Sequence, residues 1–241
     1  MKGIVITGAS SGIGRACAER FLQAGWRVGL VARRAEALEV IAAGQPGAEI
    51  LPADVTDDAA VDAVFTRFAA GGRLDCLFNN AGIFTPAAPL DEIAVADWRR
   101  AVDVNLTGMF LCARAAFGTM RRQDPRGGRI INNGSVSAHV PRPGAAPYTA
   151  TKHGVTGLTR QIALDGRDHD ICGSQIDIGN AETDMLRALA AKAEARGEVP
   201  PPMMDVAHVA EAVLAMAALP LTANVLFQTL MAPKMPFVGR G

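Results

Sequence analysis

Residues 2–14 read Lys2-Gly3-Ile4-Val5-Ile6-Thr7-Gly8-Ala9-Ser10-Ser11-Gly12-Ile13-Gly14, and this stretch decides the fold. Lys2–Thr7 is a short apolar, β-branched run, which predicts a strand covered on both faces. A glycine-rich turn follows at once, and Ile13–Ala24 has the apolar spacing of a helix. Gly8 permits the tight turn, Gly12 lets the backbone come close to a ligand, and Gly14 lets the helix pack onto the strand. The start of that helix offers unpaired N–H groups and the positive end of its dipole, a setting that suits a diphosphate. A glycine turn alone is a weak signal. Between the first strand and the first helix of a parallel sheet it is a strong one.

Outward from this turn, strands and helices alternate almost to the end. Strands are expected at Trp26–Ala32, Glu49–Pro52, Leu74–Asn79, Arg129–Asn133, Gly173–Ile178 and Val225–Met231. Helices are expected up to Ile41, then over Asp57–Ala70, Leu90–Val102, Leu106–Arg122, Pro147–Leu164 and Met204–Ala218. Short apolar strands separated by helices imply a parallel sheet covered on both sides, and right-handed crossovers then give a doubly wound, Rossmann-like α/β fold of about seven strands. We expect one domain over residues 1–241. Glu182–Met203 differs from the rest: it is rich in Ala and charge and ends in Pro200-Pro201-Pro202, which predicts a mobile helical insert placed as a substrate lid over residues 182–203.

The composition narrows the function. The formal net charge is zero over 241 residues, which argues against nucleic acid or an anionic membrane as partner. No apolar stretch approaches the roughly 18 residues of a membrane span, and the apolar run at the N-terminus is too short for a signal segment. Cys17, Cys76, Cys112 and Cys172 are scattered, with no spacing that suits zinc, so no metal site is expected. These features together lead us to expect a cytoplasmic enzyme.

The chain has a single tyrosine, Tyr148, in the run Tyr148-Thr149-Ala150-Thr151-Lys152. Residues four apart share one face of a helix, so Lys152 lies one turn beyond the phenol. A nearby ammonium favours the ionised phenol, and a tyrosine so tuned can exchange a proton with an alcohol.

The glycine turn, then Asn79-Asn80-Ala81-Gly82, Asn105, Ser135 thirteen residues before Tyr148, and Lys152 together resemble the short-chain dehydrogenase/reductase family, in order and spacing over nearly the whole chain. The resemblance implies a nicotinamide-dependent oxidoreductase acting on a carbonyl or alcohol, assembled as a homodimer or homotetramer. It places Gly8, Ser10, Ser11, Gly12, Ile13 and Gly14 around the diphosphate, Asp54 and Val55 at the adenine, and Asn80 at a ribose. Gly179 and Thr183 keep their places in the family's P-G-x-x-x-T, with Ile178 where the proline stands, and Thr183 is expected at the nicotinamide carboxamide. Tyr148 would be the acid in reduction and the base in oxidation. Lys152 would lower its pKa and hold the nicotinamide ribose. Ser135 would donate to the substrate oxygen, and Asn105 would hold a water linking Lys152 to solvent. Helices carrying Thr107, Gly108 and Ala113, and Thr151, Gly154, Thr156 and Gly157, would form a subunit interface.

The second strand ends Leu30-Val31-Ala32-Arg33-Arg34. Ala32 stands where NAD-specific members carry Asp, and the Arg33 guanidinium can grip a 2′-phosphate, with Ser10 beside it. NADP is therefore favoured. NAD stays open, because Ser11 stands where many NADP users have a second basic residue. His139, on the loop Ser137–Ala146, is a candidate to face the substrate. The tail Pro233–Gly241 departs from the family's ending and could reach across a subunit contact, close part of the pocket or be loosely ordered. The rival reading is a sensor of NAD(P) that keeps the fold and lacks turnover.

Overall fold

The computed structural model describes residues 1–238; the last three residues of the tail and of the expected domain lie outside the described residues. In chain order the elements are β1 (Gly3–Thr7), α1 (Gly12–Gln23), β2 (Arg27–Ala32), α2 (Ala35–Ala42), β3 (Ala48–Pro52), α3 (Asp58–Ala70) and β4 (Cys76–Asn79). There follow α4 (Val95–Val102), α5 (Gly108–Arg122), β5 (Gly128–Asn133), α6 (Ala146–Asp165) and β6 (Ile171–Ile178). The chain ends with β7 (Ala181–Glu182), α7 (Asp184–Ala195), β8 (Met204–Asp205), α8 (Val206–Ala218) and β9 (Phe227–Leu230). Seven strands form one sheet in the order β3-β2-β1-β4-β5-β6-β9, every pair parallel. This is the doubly wound Rossmann-like fold that the alternating pattern implies.

The two-residue period of the strands builds two cores. In β1, Ile4 and Ile6 join Phe21 of α1, Leu38 of α2 and Val213 of α8 on one face. Val5 points the other way, to Phe65 of α3, Ala116 of α5 and Ile162 of α6. All five β1 residues are buried, and each of the aliphatic side chains Ile4, Val5 and Ile6 stabilises the fold by roughly 1.5–3 kcal/mol. The strand order reverses direction at β1, with β2 on one side and β4 on the other, so a crevice opens at the carboxyl ends of these strands.

Three local differences from the sequence expectation have physical causes. The stretch Leu90–Val102 is a 3-10 turn at Leu90–Glu92 followed by α4, because Ile93 and Ala94 take extended backbone. Met204 does not begin a helix: Met204 and Asp205 form β8, paired with β7, and Asp205 caps α8 by accepting from Ala207 N at 2.8 Å. β6 begins at Ile171 instead of Gly173, because Ile171 and Cys172 already pair with Gly128 and Arg129 of β5.

Candidate active site

The crevice has a volume of about 870 Å³ and runs along the carboxyl ends of the strands. One end is built by the glycine turn. Gly8 and Gly12 both have positive φ, +67° and +52°, which side chains rarely adopt. A Cβ at Gly14 would come 2.1 Å from the Gly8 carbonyl, so only glycine lets α1 sit this close to β1. Ser11 caps α1 without a side-chain bond, and no acid lies in its first turn, leaving N–H groups and the dipole free for an anion. A Cβ at Gly12 would lie 3.2 Å from Thr183 Cγ2. With no side chain at Gly8, Gly12 or Gly14 and with the α1 N–H groups free, this cradle fits a diphosphate.

Beyond the turn, the crevice is lined by Val31, Ala32, Arg33, Arg34, Asp54 and Val55. Asp54 Oδ1 accepts from Thr56 N at 3.0 Å and from Thr56 Oγ1 at 2.8 Å. The Thr56 N–H bond does most to hold its carboxyl below the usual range. The cap of α3 is Asp57, which accepts from Ala60 N at 3.0 Å. Asn80 borders the crevice but also ties strands together: its Nδ2 donates to the Thr7 carbonyl at 2.9 Å and its Oδ1 accepts from Asn133 Nδ2 at 2.8 Å. Asn79, by contrast, is wholly structural, donating to the Met109 carbonyl and to Asn132 Oδ1.

At the other end the structure brings Ser135, Tyr148 and Lys152 together on the crevice wall. Ser135 follows β5 and its Oγ accepts from Ser137 N at 3.1 Å. Tyr148 lies in the first turn of α6, its ring stacked on Phe84 at 4.4 Å between centroids. Burial pushes the phenol's pKa up, and hydrogen bonding with Ser135 and the nearby Arg142 cation oppose that rise. The net direction is upward even with the Lys152 ammonium beside the ring. The ammonium sits 5.5 Å from the phenol ring centroid and donates to the Asn133 carbonyl at 2.6 Å. Desolvation lowers its own pKa to about 8, against a smaller opposing pull from Asp177.

Asn105 lies in a π-helical turn, Asp103–Thr107, between α4 and α5, a distortion frequent at functional sites. The wide turn directs its amide inward, where Oδ1 accepts from Ile83 N at 2.7 Å and Nδ2 donates to the Ile83 carbonyl at 2.9 Å. The side chain thus clamps the loop after β4 through one acceptor site and one donor. Gly179 packs under the tail: a Cβ there would come 2.7 Å from Met231 Cβ and from Met235 Sδ. Thr183 caps α7 without a side-chain bond and keeps its hydroxyl available.

Sequence reasoning missed Asp177. This carboxylate is 1% exposed and gathers three donors. Oδ1 accepts from Ser135 N at 2.9 Å and Gln175 Nε2 at 2.7 Å, and Oδ2 pairs with His139 Nε2 at 2.7 Å. His139 is therefore turned onto Asp177, edge-on to Phe237 at 6.5 Å, instead of toward the crevice. A chain of bonds continues behind Gln175 through Thr159 and Asn132 to Asn79. The signal available in sequence was a lone acid inside an otherwise apolar strand end. The tail does contribute to the pocket, through Met235, Pro236 and Phe237.

Residues 2–194 match the family described as short chain dehydrogenase. The chain belongs to this family. Among the relatives of this short-chain dehydrogenase is galactitol 2-dehydrogenase of Rhizobium johnstonii, 38% identical over 197 residues, which are 79% of this chain and 76% of the relative. Its fold matches 3-ketoacyl-(acyl-carrier-protein) reductase from Brucella melitensis complexed with NADH, at 26% identity and a TM-score of 0.86 over 96% of this chain and 97% of the other. It also matches actinorhodin polyketide ketoreductase with NADPH, at 26% identity and a TM-score of 0.86 over 96% of each chain. This short-chain dehydrogenase is an oxidoreductase of the alcohol/carbonyl pair that uses a nicotinamide cofactor. Among the described residues no helix is long and apolar enough to cross a membrane.

Proposed function

We propose that the protein interconverts a carbonyl compound and a secondary alcohol through Ser135, Tyr148, Lys152 and Asn105, with NADP(H) as the preferred carrier. The observation that carries this reading is the meeting of the Tyr148 phenol, the Ser135 hydroxyl and the Lys152 ammonium on one wall of a crevice whose other end is the glycine cradle.

When bound, the nicotinamide supplies or accepts the hydride. Gly8, Ser10, Ser11, Gly12, Ile13 and Gly14 would hold its diphosphate, Asp54 and Val55 the adenine, Asn80 a ribose, and Gly179 and Thr183 the nicotinamide end. Ser135 Oγ accepts from Ser137 N, and its hydroxyl, hydrogen-bonded with Tyr148, would turn its proton to the substrate oxygen as charge develops there. Tyr148 then gives its proton to that oxygen in reduction and takes it back in oxidation. Burial keeps the phenol protonated near neutral pH, so the site stands ready as an acid. Lys152, fixed by the Asn133 carbonyl, places a cation one helical turn beyond the phenol. Asn105 acts as a positioning residue through its clamp on Ile83.

Ala32 offers no acceptor for ribose hydroxyls, and Arg33 is exposed at the crevice with no acid partner among the described ion pairs. Both features support NADP; NAD is the alternative with the same chemistry. We place the protein in the cytoplasm, in line with its scattered free cysteines. Val95 and Trp98 of α4, Phe110 of α5 and Leu164 of α6 are exposed apolar residues and support a homodimer or homotetramer through these helices. The small residues argue less for it than the sequence suggested. A Cβ at Gly154 would strike Leu106, and one at Gly108 would strike Val55, both in the same chain, while Gly157 alone faces open space. The segment 182–203 is a lid in this reading. Its ends are stapled by the β7–β8 ladder and by Asn180 Nδ2 donating to the Pro202 carbonyl at 3.0 Å.

The test is turnover of a panel of ketones and alcohols with NADPH and NADH in parallel. The reading expects consumption of at least one pair, faster with NADPH at low concentration. Tight nucleotide binding with no turnover of any member would replace the enzyme reading with the sensor.

A further inference from the structure

Beside Tyr148 stands a cation that the proposed reaction does not use. The Arg142 guanidinium lies over the Phe84 ring at 5.3 Å and over the Tyr148 ring at 5.7 Å, on the wall of the crevice. A cation over an aromatic ring uses the ring's face, and the N–H edges of a guanidinium stay free to donate. Among the described residues no carboxylate pairs with it and its side chain donates no hydrogen bond. Among the described residues, the other crevice cations beyond Arg33 and Arg34 are engaged: Lys152 with the Asn133 carbonyl, and Arg100 with Asp97. Arg142 lies over Phe84, and the same crevice is also lined by the apolar residues Val140, Met185, Leu186 and Met235.

We propose that Arg142 is a specificity residue that binds a carboxylate on the substrate, so that the enzyme's substrates are hydrophobic oxo or hydroxy acids. This inference rests on the dehydrogenase reading and names the substrate class of that same site. A free guanidinium presents two parallel N–H donors, which match one carboxylate. A phosphate dianion asks for more donors, and among the described residues this end holds no second free cation. The apolar wall takes the body of the substrate. The acid then lies on the same side as the phenol, which fixes the carbonyl toward Tyr148 and Ser135.

The experiment compares 4-acetylbenzoate with its neutral counterpart 4-acetylbenzamide in the wild type, Arg142→Gln and Arg142→Lys, with both nucleotides. Calorimetry of benzoate and benzamide runs alongside, with and without nucleotide. The wild type is expected to favour the acid by about tenfold or more in kcat/KM, through KM, the scale of a charge-assisted pair. Arg142→Gln brings the acid-to-amide ratio close to one, Arg142→Lys keeps part of it, and added salt shrinks it in the wild type. Benzoate is expected to bind more tightly than benzamide only where the cation is present. Equal kcat/KM for acid and amide in the wild type, or a preference that survives in Arg142→Gln, overturns the assignment while turnover of the amide leaves the dehydrogenase reading intact. If neither compound is turned over, binding decides. Arg142-dependent benzoate binding keeps the carboxylate site, with the enzyme reading then judged by the ketone and alcohol panel, and equal binding of benzoate and benzamide removes the site.

Discussion

The Lys152 ammonium donates to the Asn133 carbonyl at 2.6 Å while its side chain is almost wholly buried. This bond joins α6 to the end of β5 and holds the charge at a fixed place on the crevice wall. Desolvation brings the ammonium's pKa down to about 8. The folded state therefore binds this proton less tightly than the unfolded chain does. Between about pH 8 and the ordinary lysine value the unfolded chain holds more protons, so stability rises with pH across that window and the penalty is full below it. Relative to Lys152→Met, the wild type is expected to gain up to about 2 kcal/mol between pH 7.5 and 9.5. Urea denaturation of both proteins at the two pH values measures this; a difference that does not change with pH contradicts it.

Gly134 sits between β5 and Ser135, and a Cβ there would come 2.0 Å from Asp177 Oδ1. Gly134→Ala must therefore push the carboxylate away from Ser135 N and Gln175. Overpacking of this kind costs about 1–3 kcal/mol, and displacing Ser135 lowers kcat more than it raises KM. Thermal denaturation and steady-state kinetics on the same preparation test the pair of effects. Unchanged stability together with unchanged kcat would mean that the Asp177 bonds do not position Ser135.

Arg33→Ala is expected to weaken NADPH by about tenfold or more, the scale of a lost charge-assisted bond, and to leave NADH within about twofold. Fluorescence titration with both nucleotides reads it. Equal losses would remove Arg33 from the 2′-phosphate and with it the preference for NADP.

The parts of this site that the sequence displays are those governed by local rules. Gly8 and Gly12 are visible because their backbone angles exclude side chains, and Tyr148 with Lys152 is visible because four residues make one helical turn. The strands are visible because Ile4 and Ile6 face one core while Val5 faces the other. What stayed hidden depends on residues far apart in sequence. Asp177 meets Ser135 and His139 across 42 and 38 positions, and the β7–β8 ladder has only two pairs, too few for a periodic pattern. The inward turn of Asn105 needs a π-helical register that nothing in Asp103-Val104-Asn105-Leu106-Thr107 announces. The partner of Lys152 is a backbone carbonyl, which has no sequence signature at all.

The most direct test of the whole account is Tyr148→Phe in single-turnover hydride transfer, with nucleotide affinity measured on the same protein. The ring and its stack on Phe84 survive the change, so the phenol oxygen alone is removed. The account predicts a loss of about 10²–10⁴-fold or more in the hydride-transfer step with nucleotide affinity nearly unchanged. Near-normal transfer by the variant would contradict it, because the proton would then come from elsewhere.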